Sequence, residues 1–220
     1  MTLLFTPLKM GTQTLPNRIC VPPMCCCLAR EGVGSDELIA HYEKLAASGA
    51  GLVVIEATAV RADGRITTRC LGLYNDEQER FFKRLLKACR AVAPAETKFF
   101  LQLSHCGRKG SRKDPKTGHG TLLPEEGGFA LMAPSAVAYT PQAPMPREMT
   151  EADIDRMLQA FEAAAHRAAR VGFDGIQIHA AHGYLVHQFL SPVTNRRTDN
   201  WGGSLQNRQR FALEVVKAVQ

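Results

Sequence analysis

The chain has 220 residues, 45% of them hydrophobic, and a formal net charge of +6. That length suits one sizeable core in one domain. The positive surplus is spread out, and its densest cluster (Arg108, Lys109, Arg112, Lys113, Lys116) has few aromatics between. It reads as a solvated loop, not a nucleic-acid surface.

Seven cysteines, an odd count with no Cys-x-x-Cys spacing, argue against a disulfide scaffold and against a zinc or iron–sulfur site. No run approaches bilayer-spanning length and no signal-peptide pattern opens the chain, so no membrane partner and a cytoplasmic location are expected.

In chain order, Thr6-Pro7 to Leu15-Pro16 suggests a hairpin, and Ile19-Cys20-Val21 a first strand. Ser35 can cap a helix carrying Leu38, Ile39, Tyr42 and Leu45, stopped by Gly49 and Gly51. Leu52–Ile55 is a continuous apolar run, as expected of a strand buried on both faces. Phe81, Leu85, Cys89 and Val92 recur at helical spacing, and Phe99-Phe100-Leu101 is the third strand. A Gly- and Pro-rich stretch from Ser104 to Pro146 follows, long enough to predict a lid or substrate cap. Thr150 caps a long helix with Ile154, Met157, Leu158, Phe161 and Ala165 on one face, ending at Val171-Gly172. Phe173 to Ile178 is read as a buried strand, and Phe211, Val215, Val216 and Val219 form the last amphipathic stripe.

His179 and His182 stand where that fourth strand stops, three residues apart, with Tyr184 two further on. Both rings can reach one oxygen atom, and the phenol offers a proton to the same space. Two donors on a carbonyl beside a proton donor suit the polarisation of an activated alkene. One lone histidine on a strand is usually a satisfied core residue; two aimed at one spot at a strand's C-terminal end point to function. Gln102 interrupts the apolar run of the third strand, where an amide needs a partner.

The run His179-Ala180-Ala181-His182-Gly183-Tyr184-Leu185, followed by Gln188-Phe189-Leu190-Ser191-Pro192, Asn195-Arg196-Arg197-Thr198-Asp199 and Gly202-Gly203-Ser204, resembles the Old Yellow Enzyme family of FMN-dependent ene-reductases. Leu15-Pro16-Asn17-Arg18-Ile19 with Pro22-Pro23-Met24, then Glu56-Ala57-Thr58, then Gln102-Leu103-Ser104-His105-Cys106-Gly107-Arg108, resemble the family's first three strands in order and spacing.

The resemblance implies an α/β fold of the TIM (β/α)8 barrel type. A complete barrel takes roughly 250 residues. Residues 1–220 are therefore expected to form a single partial domain: the first four βα units behind an N-terminal hairpin, with the C-terminal half of the barrel absent.

By the same resemblance, FMN is the cofactor and NAD(P)H the electron donor. Pro23, Met24, Cys25, Ala57 and Gln102 lie against the flavin. His179 and His182 bind the oxygen of an α,β-unsaturated carbonyl substrate, and Tyr184 protonates the alkene after hydride transfer. Cys27 occupies a substrate-binding position where one branch of the family commonly has tyrosine, and a thiol is a weaker donor. Asn195, Arg197, Asp199 and Gly202-Gly203 are read as structural, and the family often forms homo-oligomers. Alternative readings are a 2,4-dienoyl-CoA or enoate reductase of the longer iron–sulfur branch, and an inactive half-barrel. A barrel isomerase or aldolase is disfavoured by Gln102 and by the lack of a strand-end lysine.

Overall fold

The computed structural model describes residues 2–220. The hairpin is present as antiparallel β1 (Leu8–Met10) and β2 (Gln13–Leu15). Four parallel strands follow: β3 (Cys20–Val21), β6 (Leu52–Ala59), β8 (Lys98–Ser104) and β11 (Gly175–Ile178), adjacent in chain order. A short β4–β5 hairpin (Ala29–Arg30, Val33–Gly34) follows β3, and β7 (Leu71–Gly72) adds to β6. Helices α1 (Asp36–Ala46), α2 (Asp76–Val92) and α3 (Glu151–Val171) connect the strands, and α4 (Leu185–Leu190) and α5 (Leu205–Val219) follow β11. The architecture is α/β with a parallel sheet.

Local sequence accounts for the helix boundaries. Ser35, Asn75 and Thr150 each accept a backbone N–H of the first turn of α1, α2 and α3. Gly172 ends α3 with φ 98°, a left-handed value that only glycine adopts without strain. The apolar stripes of α1, α2 and α3 close over Val53, Ile55, Phe99, Leu101 and Leu103, so the core lies between the sheet and the helix layer. On the opposite face Leu15 packs with Leu52 and Val54, so the β1–β2 hairpin covers the N-terminal end of the sheet. That end is plugged, and the strands' C-terminal ends stay open.

One expectation needs correction. The fourth strand is not buried: Gly175, Ile176 and Ile178 are half-covered and Gln177 is exposed, because β11 has a neighbour on one edge only. The 104–146 stretch is anchored near its C-terminal end. Its strand β9 (Met132–Ala133) pairs in parallel with β10 (Arg147–Glu148), and the buried Arg197 guanidinium donates to Pro134 O and Met149 O. Arg197 thus ties the stretch to the segment between α4 and α5, in keeping with its structural reading. No helix is long and apolar enough to cross a membrane among the described residues.

Candidate active site

The C-terminal ends of β3, β6, β8 and β11 border an open cleft of about 560 Å³. Its walls bring together Pro23, Cys25, Ala57, Gln102, His179, His182 and Tyr184, residues up to 161 positions apart in sequence number. Two predicted residues lie elsewhere. Met24 is 54% exposed and does not line the cleft. Cys27 also lies off the lining; it takes a left-handed φ of 55°, and its carbonyl accepts from Arg69 Nε at 3.2 Å.

Ala57 reaches the cleft because β6 is irregular. Ile55 pairs with Leu101 and Thr58 with Leu103, so Glu56 and Ala57 together face the single residue Gln102. A bulge of this kind re-aims side chains. Val53 and Ile55 face the helices, and strict alternation would send Ala57 after them. Instead Glu56 turns to the helix layer and meets Tyr42 of α1, while Ala57 turns inward. Glu56 is 1% exposed; its oxygens accept from Cys26 N at 3.1 Å and from Tyr42 Oη at 3.2 Å. Burial pushes its carboxyl up to about 7. Next to it, Cys70 is buried behind Ala57, and the neighbouring Cys25 thiol together with hydrogen bonding from Thr67 holds its thiol below the usual range.

The β11 end is a tight turn. His182 (φ 57°) and Gly183 (φ 73°) are both left-handed, a conformation uncommon outside glycine but accessible to histidine. Side chains from elsewhere pin it. Lys109 Nζ donates to His182 O at 2.8 Å, Gln188 Nε2 to Gly183 O at 2.7 Å, and His187 Nδ1 accepts from Gly183 N at 2.8 Å. Gln188 also donates to Cys106 O and accepts from Arg108 N, joining the β8 end to α4. Gln188 belongs to the recognised motif, but its clamping role shows only in the structure.

Within this frame the three rings meet edge to face: His179 and His182 have centroids 5.1 Å apart, and His179 and Tyr184 4.7 Å apart. Burial, reinforced by His182 and Lys109, pushes the His179 imidazole down to about 4, so it is neutral at pH 7. Its Nδ1 accepts from Ala181 N at 3.3 Å, which leaves the proton on Nε2. Burial also pushes the Tyr184 phenol up to about 12, so it keeps its proton at neutral pH. The site therefore offers a neutral N–H donor and a protonated phenol side by side.

Across the cleft, Gln102 donates from Nε2 to Gln177 Oε1 at 2.7 Å. Sequence reasoning missed Gln177. The available signal was a polar residue between Ile176 and Ile178, the counterpart of Gln102 between Leu101 and Leu103.

The cleft falls in the usual size range of small-molecule sites. A small side chain at Ala57 and an amide pair at Gln102 and Gln177 fit a flat, imide-edged ring such as isoalloxazine. Among the described residues no Lys or Arg lines it, so the walls present fit the ring and not the phosphate of FMN.

Comparison with known proteins gives a consistent answer. Residues 3–220 match the model of the NADH:flavin oxidoreductase / NADH oxidase family. An NADPH dehydrogenase of Listeria welshimeri is 43% identical over 222 residues, covering 100% of this chain and 60% of the relative. Among solved structures, morphinone reductase in complex with tetrahydroNAD superposes with a TM-score of 0.85 at 32% identity, covering 100% of this chain and 60% of that one. Old Yellow Enzyme from Pichia sp. gives 0.86 at 30% identity, over 99% and 56%. The chain thus spans about 60% of the length of such curated relatives.

Proposed function

The chain belongs to the NADH:flavin oxidoreductase / NADH oxidase family, and from that membership we propose that the whole protein is an FMN-dependent NAD(P)H oxidoreductase reducing the activated C=C bond of α,β-unsaturated carbonyl compounds. The observation that carries this reading is the convergence of His179, His182 and Tyr184 on one side of a cleft whose other walls are Ala57 and Gln102.

When bound, FMN would supply the hydride chemistry that links NAD(P)H to the alkene. Everything else falls to the protein. Ala57, Pro23 and Cys25 would border the ring and Gln102 would meet its polar edge, while Met24, off the cleft lining, would not touch it. His179 and His182 donate N–H to the substrate oxygen and draw electron density from the alkene. His179 does so as a neutral donor, which fits its lowered pKa. Tyr184, holding its proton at neutral pH, gives it to the α-carbon.

We read the four βα units as the first half of a (β/α)8 barrel and residues 1–220 as one partial domain. The plugged N-terminal end, the open edge of β11 and the 60% coverage of the relatives support this. The phosphate grip and the closing wall of the site then come from the rest of the barrel.

Titration with FMN, followed by visible absorption and then NAD(P)H, tests the reading. A bound-flavin spectrum that NAD(P)H bleaches is expected of the full-length protein. Alkene reduction should fall with His179→Ala/His182→Ala. Enone reduction and phenol charge-transfer binding that survive this double change overturn the roles given to the pair.

A further inference from the structure

Gln102 and Gln177 are direct partners in the β8–β11 register, and both side chains line the cleft. Gln102 is 9% exposed, and its side-chain nitrogen is committed to Gln177 Oε1 at 2.7 Å. Its own Oε1 accepts no hydrogen bond from the described residues, yet it is not among the buried atoms lacking a partner. That oxygen is therefore open to the cleft.

A carboxamide has two flip states, one presenting N–H donors and the other a carbonyl acceptor. The edge of a flavin pyrimidine carries an N–H between two carbonyls. An acceptor aimed there is satisfied by the ring N–H, whereas an N–H group in the same place would oppose it. In this structure the Gln102 nitrogen is paired with Gln177 Oε1 on the neighbouring strand, which leaves the Gln102 oxygen for the ring; Gln177 is an amide too, and it fixes this flip state while its own oxygen faces Gln102.

We propose that Gln177 is a positioning residue. It pins the Gln102 nitrogen on the β11 side, so that the Gln102 oxygen faces the imide N–H of the bound flavin. The inference rests on the flavin reading above. Gln177 itself lines the cleft, and a double-mutant cycle with Gln102 separates its action through Gln102 from direct contact with the ring.

The test is a double-mutant cycle in the full-length protein, with FMN dissociation constants from fluorescence quenching and the flavin midpoint potential as readouts. Gln177→Leu should weaken FMN binding roughly three- to tenfold, the size of one ordinary hydrogen bond. In a Gln102→Leu background the same change should have no further effect beyond about twofold. Gln177→Glu keeps an acceptor for Gln102. It should recover affinity relative to Gln177→Leu while moving the midpoint potential to more negative values, because an added carboxylate disfavours the electron-rich reduced ring. Unchanged FMN affinity in Gln177→Leu, or a full effect persisting in the Gln102→Leu background, overturns the positioning role and leaves the flavin reading intact. A wild-type protein that binds no FMN overturns both.

Discussion

Glu56 offers a sharp test of the link between buried charge and stability. Its carboxyl is 1% exposed, and burial raises its pKa from 4.5 to about 7. Between those values the unfolded chain has released a proton that the native chain keeps. Stability therefore falls as pH rises from 4.5 to 7 and stays low above it. A shift of that size corresponds to about 3 kcal/mol. Glu56→Gln removes the titration and mimics the protonated carboxyl: the amide oxygen accepts from Cys26 N, and the amide nitrogen takes the place of the oxygen that accepts from the Tyr42 hydroxyl, reversing that contact so that it donates to Tyr42 Oη.

The wild-type profile alone is a poor test, because His179 runs the other way. Its pKa is lowered from 6.5 to about 4, so its contribution is present above pH 6.5 and is lost as pH falls toward 4. The difference between Glu56→Gln and wild type cancels that term. Thermal melts from pH 4.5 to 8 should give a difference near zero at the acid end. It should rise to a plateau of about 6–12 °C in favour of the variant above pH 7.5. A difference that is flat with pH, or a variant less stable at pH 8, refutes the reasoning that desolvation of Glu56 dominates.

Other outcomes follow from particular residues. Tyr184→Phe in the full-length protein should slow alkene reduction by roughly 10²-fold or more while leaving the rate of flavin bleaching by NAD(P)H unchanged, as read by stopped-flow absorbance. Gly172→Ala places a Cβ at φ 98° and should cost about 1–2 kcal/mol in urea denaturation. Gln188→Leu strips partners from Cys106 O, Gly183 O and Arg108 N; it should cost about 1–3 kcal/mol for each group left buried and unpaired. It should also raise hydrogen exchange at Gly183 and Arg108 ahead of the rest of the chain.

Much of the frame is legible in the sequence because its signals are local. Ser35 and Thr150 cap helices through their own side chains, and Gly172 stops α3 through its own backbone. The alternation of apolar runs with helical stripes announces a parallel sheet, and the hairpin before the first strand is present. The segment 185–190 escaped because six residues are too few to show a helical period, and β4, β5, β7, β9 and β10 are pairs of residues that only their partners make strands.

The sequence by itself determined which polar side chains gather at one end of the sheet. Gln102 lies near the end of β8 and His179, His182 and Tyr184 follow the end of β11, and parallel strands joined by helices bring those ends to one side. Only the tertiary structure decided which way neighbouring residues point. The two-for-one bulge opposite Gln102 sends Glu56 to Tyr42 and Ala57 to the cleft. The register of β8 with β11 joins Gln102 to Gln177. Cys27, with its left-handed φ, lies off the cleft lining, and the open edge of β11 leaves Gln177 exposed. For the bulge and the register the physical reason is the same: the face a strand residue occupies depends on pairing with a distant partner, and a one-residue irregularity in that pairing reverses it; Cys27 lies outside any strand, and Gln177 is exposed because β11 lacks a second neighbour.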